Sequence, residues 1–277
     1  MQIAIDFGIS NTDAVLYKDG TLHHWTQPSQ GEPSAQLVQS VLAQADIPLD
    51  AVERIAVTGG RSQSLPDQIG ACPIIKVSEV QAIGCGGQAL LGLDAAQRQK
   101  SLVVVSAGSG TAVVAGQHQQ FKHVTGSAVG GATMLGLARL MLQTTDALEI
   151  DALALQGDPN GVDLSLADVI SGPIGSLPAH ATAVNFGRLA KQNITPSRAD
   201  IAAGLVTLIG QVIAVIGINA AKSQQIDEIV LIGRIINLPS MRKVIHDVGG
   251  FYGVEFLLPD QTAHATALGA LQVLQQS

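Results

Sequence analysis

The 277 residues are 47% apolar, 13% charged and only 3% aromatic. Such a chain is no disordered segment, and it can bury a sizeable core built from Ala, Val, Ile and Leu. A formal net charge of -7 without any cluster of Lys and Arg argues against nonspecific nucleic-acid binding. Cys72 and Cys85 are the only cysteines and have no His or Cys at metal spacing, so they read as small buried hydrophobes of a reducing, cytoplasmic setting.

In chain order, residues 2–6 alternate into a tight turn, 12–18 resume strand character, and Lys18-Asp19-Gly20 signals a hairpin into a third strand at 21–26. No charged leader precedes this meander, so secretion is not expected. A helix follows at 36–45 and strands at 54–58 and 73–77. Ser78 is placed as the cap of a helix that begins with Glu79 and runs to about 91. Polar residues 94–100 form the best boundary, giving lobes 1–97 and 98–277. Beyond it the strand–turn–strand–turn–strand pattern begins again at 102–106, 111–115 and 121–124. This echo implies a duplicated α/β fold. Helices are expected at 130–143, within 158–171 and at 265–274, with a Gly/Pro-rich loop at 172–180 and a strand at 228–232. Residues 201–221 are long and apolar enough to span a membrane, but their globular neighbours favour a buried core or dimer-interface helix.

Four glycine-bearing segments and one carboxylate carry the chemistry. In the first turn Gly8 leaves room for a phosphate, Ser10, Asn11 and Thr12 add donors, and Asp6 at the strand end suits Mg²⁺ held through water. Gly108, Ser109, Gly110 and Thr111 occupy the equivalent turn of the second half. Two such turns gripping one triphosphate is the reading favoured over two unrelated β-turns. Gly130, Gly131, Thr133 and Met134 open a helix whose amides and dipole favour an anion, although a glycine segment serving only packing has the same pattern. Gly233 and Arg234, ending a strand, fit an adenosine wall or an ordinary strand end. Glu79, alone with Lys76 in an uncharged stretch, is the candidate carboxylate for transfer to a hydroxyl, with a helix-dipole role as its alternative. His180 and His264 read as surface or hydrogen-bonded, Asp158 and Asp163 as turn or helix caps, and Trp25 as packing.

Taken together, segments 6–13, 58–60, 78–86, 105–111, 124–137, 157–164, 183–187 and 230–234 resemble the type II pantothenate kinases, in order and over nearly the whole chain. The resemblance implies a duplicated ribonuclease H-like (actin-like ATPase) fold, two lobes around a nucleotide cleft, and a homodimer. It implies ATP- and Mg²⁺-dependent phosphorylation of pantothenate in coenzyme A synthesis. Glu79 falls on the family's catalytic carboxylate, and Ser109, His123 and Ala183 on positions near pantothenate. Asp13 stands where the family commonly has Lys, and His123 where it commonly has an Arg that contacts the substrate. The first reverses a charge beside the phosphates, at a cost on the order of 1 kcal/mol. The second removes a bidentate fork for a carboxylate. Alternatives are a regulator that binds ATP or acyl-CoA, a kinase for another hydroxyl, and an ATPase that activates a partner enzyme. Two cysteines are too few for the cluster that such activators commonly carry.

Overall fold

The computed structural model describes residues 1–93, 97–118, 120–170 and 177–276. The expected boundary at 94–100 and the loop at 172–180 therefore lie outside the described residues over 94–96 and 172–176.

The chain opens with β1 (Gln2–Phe7), β2 (Asn11–Lys18), β3 (Thr21–Pro28) and α1 (Ala35–Ala43). There follow β4 (Arg54–Thr58), β5 (Gln68–Ile69), β6 (Cys72–Lys76) and α2 (Glu79–Leu90). The repeated meander is β7 (Leu102–Ala107), β8 (Thr111–Gln117) and β9 (Gln120–Ser127), leading into α3 (Gly131–Leu142). Short elements come next: α4 (Ala147–Ala154), β10 (Leu164–Ser165), α5 (Leu166–Ile170), β11 (Thr182–Val184) and α6 (Gly187–Lys191). The chain closes with α7 (Arg198–Gln224), β12 (Ile229–Ile232), α8 (Pro239–Tyr252), β13 (Phe256–Leu257) and α9 (Ala265–Gln276). Strand order is β3-β2-β1-β4-β6-β5 in one sheet and β13-β12-β7-β8-β9 in the other.

Two compact units result, one of Met1–Val104, Val114–Val124 and Pro259–Ser277, the other of Val105–Val113 and Thr125–Leu258. In the first unit the period-2 alternation of β1 sorts its two faces. Ile3, Ile5 and Phe7 join Val38, Val41 and Leu42 of α1 in one apolar cluster. Ala4, with Val15 and Ala56, packs instead under Ala267, Ala270 and Leu271 of α9. Small side chains on that second face let α9 lie close. Where α9 meets α2, a Cβ on Gly269 would collide with the Ala82 carbonyl, and one on Gly86 with that of Ala265. Trp25 packs against the α1 cluster, and its indole N–H donates to the Val41 carbonyl at 2.9 Å. Both cysteines are buried, and burial pushes the Cys85 thiol up to about 11.

In the second unit α7 packs against α3, α4, α8 and β12. It is long and apolar enough to cross a membrane, yet 67% of its most apolar window is buried inside the protein. Its apolar surface is thus largely used in the core of its own unit. Large exposed apolar side chains lie elsewhere, at Leu140, Leu148, Leu155, Val169, Val184 and Leu189.

The α2–α9 contact leaves no room for a side chain. Gly269→Val is expected to destabilise the protein by about 3 kcal/mol, the upper range for overpacking. Thermal melting should register a drop of about 6–12 °C against the parent chain. A melt unchanged within a degree would show that α9 does not sit this close.

Candidate functional site

Asp6 stands at the carboxyl end of β1 and is half-buried. Register places Asp13 of β2 directly opposite it on one side and Thr58 of β4 on the other. Paired residues share a face, and Asp6, Asp13 and Thr58 each lie two residues from Ala4, Val15 or Ala56, so this polar row continues the face that α9 covers. Burial, then the charges of Glu79 and Asp13, push the Asp6 carboxyl from its ordinary 3.8 up to about 8. Gly59, at φ +95°, makes the close approach possible: a Cβ there would lie 2.8 Å from Asp6 Oδ1. The Thr58 hydroxyl is fully buried and lacks a hydrogen-bond partner among the described residues.

The first turn is closed by a residue that no local motif singles out. Ser29, just beyond β3, donates its hydroxyl to the Gly8 carbonyl at 2.7 Å and its amide to the Ser10 carbonyl at 3.1 Å. Gly8 is tight against the Asn11 carbonyl, 2.8 Å from where a Cβ would sit. Ser10 is exposed and Asn11 half-exposed, as donors to a ligand require. Thr12 differs from expectation. It is 2% exposed and its hydroxyl lies 3.4 Å from Ser29 Oγ, so it belongs to the turn's internal staple.

Glu79 is exposed at the first position of α2. Ser78 occupies the cap position as expected, but its side chain makes no capping bond. Two residues beyond Glu79, the Gln81 side chain donates to the Phe121 carbonyl at 2.9 Å and accepts the Phe121 amide at 3.2 Å. That doubly bonded amide ties α2 to the edge strand β9. Phe121 itself fills the space beside Gly84. His123, two residues along β9, is exposed and shares the face of Phe121, which is the α2 side. The structure therefore brings Glu79 and His123 to the same side of the first unit, through a glutamine that the sequence does not announce.

In the second unit the glycine segments form one knot. Gly131 N–H donates to the Gly108 carbonyl at 2.8 Å and Ala132 N–H to that of Ser109 at 3.1 Å. A Cβ on Gly130 would stand 2.7 Å from the Gly110 backbone. Thr111 Oγ1 donates to the Val129 carbonyl at 2.7 Å, and Thr133 Oγ1 to that of Ala128 at 3.1 Å while accepting the Gly130 amide at 3.3 Å. Gly233, at φ +118°, lies against the Ala107 carbonyl, and Arg234 beside it is exposed. Two expectations change. The first amides of α3 are engaged by the 108–110 turn, so they fasten it instead of waiting for an anion. Met134 is fully buried and belongs to the core.

Ala183 is not part of this knot. It is exposed on β11, which pairs with β10. Fully buried Asp163 holds this segment, accepting the Phe186 amide at 2.7 Å and the Thr182 hydroxyl at 3.0 Å. Burial raises its carboxyl from the ordinary value, with these bonds working against the shift. Asp158 caps a single turn through the Asn160 amide at 2.9 Å. A cavity of roughly 280 Å³ in the second unit is lined by both polar and apolar residues, among them Asp158, His180, Gln211, Lys243 and Asp247, and by none of the residues proposed for nucleotide, magnesium or acceptor.

A duplicated strand meander with a glycine turn in each copy, and an acidic strand end in the first, defines a protein of the actin-like ATPase fold shared with sugar kinases. Solved structures agree. The chain is similar to an activator of the 2-hydroxyisocaproyl-CoA dehydratase from Clostridium difficile with bound ADPNP, at TM-score 0.64 and 14% identity over 100% of this chain and 97% of that one. It is similar to a ROK family glucokinase from Streptomyces griseus in complex with glucose and AMPPNP, at TM-score 0.61 and 12% identity over 100% and 99%. Residues 93–256, more than half of the chain, match the Fumble family. The chain belongs to that family, the type II pantothenate kinases. Among its relatives, the type II pantothenate kinase of Oceanobacillus iheyensis is 27% identical over 98% of both chains. That of Bacillus cereus is 25% identical over 80% of this chain and 82% of its own.

The raised Asp6 pKa has a stability consequence. Its carboxyl ionises at 3.8 ordinarily and at about 8 in the fold. The folded state therefore favours the protonated form, an advantage complete below about pH 4 and lost as pH rises through about 8. Asp6→Asn should remove that dependence. At pH 9 its melting temperature should exceed that of the parent chain by about 4 °C or more, a gap that shrinks toward pH 5. Parallel melting curves across this range would contradict the assigned environment.

Proposed function

We propose that this chain is an ATP-dependent kinase that phosphorylates pantothenate. The observation that carries the reading is its likeness to the Oceanobacillus enzyme along 98% of both chains, within a family to which it belongs. In this reading the turn at 108–110, fastened to α3, presents backbone groups to the nucleotide phosphates, and the Gly8–Asn11 turn of the first unit has the same phosphate-binding chemistry. Gly233 and Arg234 flank the adenosine. Ser109, His123 and Ala183 contact the acceptor.

Glu79 acts on the acceptor hydroxyl. Its carboxylate takes the proton as the hydroxyl oxygen bonds to the terminal phosphorus of ATP, and the bond from that phosphorus to the bridging oxygen breaks to release ADP. Exposure keeps Glu79 within reach of a substrate. The residues at the end of β1 fit magnesium: Asp6 and Asp13 stand opposite each other beside the buried Thr58 hydroxyl, which has no partner among the described residues. Burial together with the charges of Glu79 and Asp13 makes a positive ion a favourable replacement for the proton on Asp6. Among the described residues no group of three or more His, Cys, Asp or Glu is arranged to hold a metal alone. Magnesium is commonly bound by one or two carboxylates and completes its shell with waters and phosphates. When bound, magnesium offsets phosphate charge during transfer.

A second reading, a regulator that binds nucleotide without transfer, is favoured by Asp13 and His123, which place an acid and a weak base where the family commonly has cations. Calorimetry with ATP beside a product assay separates the two. A regulator binds nucleotide and yields no phosphorylated product from any acceptor.

Under the kinase reading, purified protein with Mg-ATP forms phosphopantothenate, and Glu79→Gln lowers turnover about 10²-fold or more. Full activity in that variant would remove Glu79 from the mechanism. We also propose a cytoplasmic homodimer joined through the exposed apolar side chains of the second unit, Leu140, Leu148, Leu155, Val184 and Leu189. Light scattering should give twice the 28.5 kDa chain mass, and Leu148→Asp combined with Leu155→Asp should return it to one. A single-chain mass for the parent protein would dismiss the dimer.

A further inference from the structure

The row that contains Asp6 and Asp13 extends one strand further. Thr26 of β3 is the register partner of Asp13 and lies on the same face. Its Oγ1 donates to Asp13 Oδ1 at 2.5 Å. The same oxygen lies 2.9 Å from Nε2 of His264, in the single turn just before α9. A threonine hydroxyl has one proton. Since that proton goes to Asp13, the bond from His264 runs the other way, and Nε2 carries the hydrogen. The order is then His264 Nε2–H to Thr26 Oγ1, and Thr26 O–H to Asp13 Oδ1.

This relay is shielded. The His264 and Asp13 side chains are 16% and 12% exposed, so water does not readily replace a lost bond, and Nε2 lies 3.7 Å from Asp13 Oδ1. The imidazole is also braced from the side, with its ring centroid 4.4 Å from that of His24. His24 is two residues from Thr26 on β3 and shares its face. Position in the chain matters as well. His264 is separated from Asp13 by almost the whole sequence, and the packing of α9 on β1, β2 and β4 returns it there. The role it serves is on Asp13, whose carboxylate directly faces Asp6.

We propose that His264 is a positioning residue: by donating to Thr26 it fixes the hydroxyl that holds the Asp13 carboxylate beside Asp6, and so sets this acidic pair for the cation that accompanies the nucleotide. The inference rests on the kinase reading above. It assigns no chemistry to His264, which acts through Thr26 and Asp13.

The test uses Mn²⁺ as the probe and the full chain without nucleotide, with bound ion counted by electron paramagnetic resonance. His264→Phe keeps a ring beside His24 and removes the donor. Thr26→Val keeps the shape and removes the hydroxyl. Each should weaken Mn²⁺ binding about tenfold, the order of effect expected when one hydrogen bond in the chain that holds Asp13 is lost. His264→Gln, whose amide N–H can replace Nε2–H, should stay within about twofold of the parent. Adding His264→Phe to Asp13→Asn should produce no further loss, because the relay ends on the carboxylate already removed. In the kinase assay, His264→Phe should raise KM for Mg-ATP about tenfold while kcat changes by less than about twofold. Should His264→Phe melt at a markedly lower temperature, the isosteric Thr26→Val decides the matter through its own Mn²⁺ binding. The proposal is overturned by unchanged Mn²⁺ binding in Thr26→Val, by losses that add between His264→Phe and Asp13→Asn, or by a parent chain that takes up no Mn²⁺. A full Mn²⁺ cycle in a chain that phosphorylates no acceptor supports the relay and ends the kinase reading, so the two fail separately.

Discussion

Two carboxylates facing each other across adjacent strands, Asp6 and Asp13, govern the chemistry of the first unit. Like charges directly opposite in a sheet repel, and these two are also partly withdrawn from water. The fold answers on both sides. Asp6 holds its proton, with its carboxyl raised to about 8, while Asp13 is bound by the Thr26 hydroxyl. Neither response would be needed on the other face of β1, where Ile3, Ile5 and Phe7 meet the apolar side of α1. Strand alternation thus separates a face that stabilises the unit from one that stores negative charge at its edge.

That edge depends on helix packing as much as on the sheet. α9 reaches the second face only because Gly86 and Gly269 allow two helix backbones to meet, and in arriving it delivers His264 to Thr26. α2, in contact with α9, in turn carries Glu79 and is fastened to β9 by Gln81. A carboxylate on a helix end, a histidine on an edge strand and a histidine near the C-terminus are therefore placed by one cluster of small residues. Close-packed interiors transmit such constraints, because a methylene more or less is felt by every neighbour.

Much of this is legible in the sequence, and the reasons for the rest are physical. Both meanders carry strong strand and turn chemistry, so β1 to β4 and β7 to β9 follow from local pattern alone. Glycine turns and the acid at the end of β1 can be found in the same way. α8 is harder to see because Arg242, Lys243, His246 and Asp247 dilute its apolar stripe, although Pro239 at its start and Met241, Ile245 and Val248 at helical spacing mark it. The short strands β10 and β11 lack any periodicity to read. Ser29, Gln81 and Asp163 act through partners 17 or more residues away, and no window of neighbouring residues contains both ends of those bonds. Thr12 and Met134 show the opposite difficulty: a motif identifies a segment, but burial decides which of its side chains can touch a ligand.

The fastening of the 108–110 turn to the first amides of α3 has a consequence for recognition. A loop that is floppy before its partner arrives must surrender conformational freedom at that moment, and the affinity is lower by that amount. Here the ordering has already happened during folding, since helix and turn share hydrogen bonds and form a single rigid piece. Any change that loosens the far end of α3 would therefore be felt at the turn as slack, without a single residue of the turn being altered.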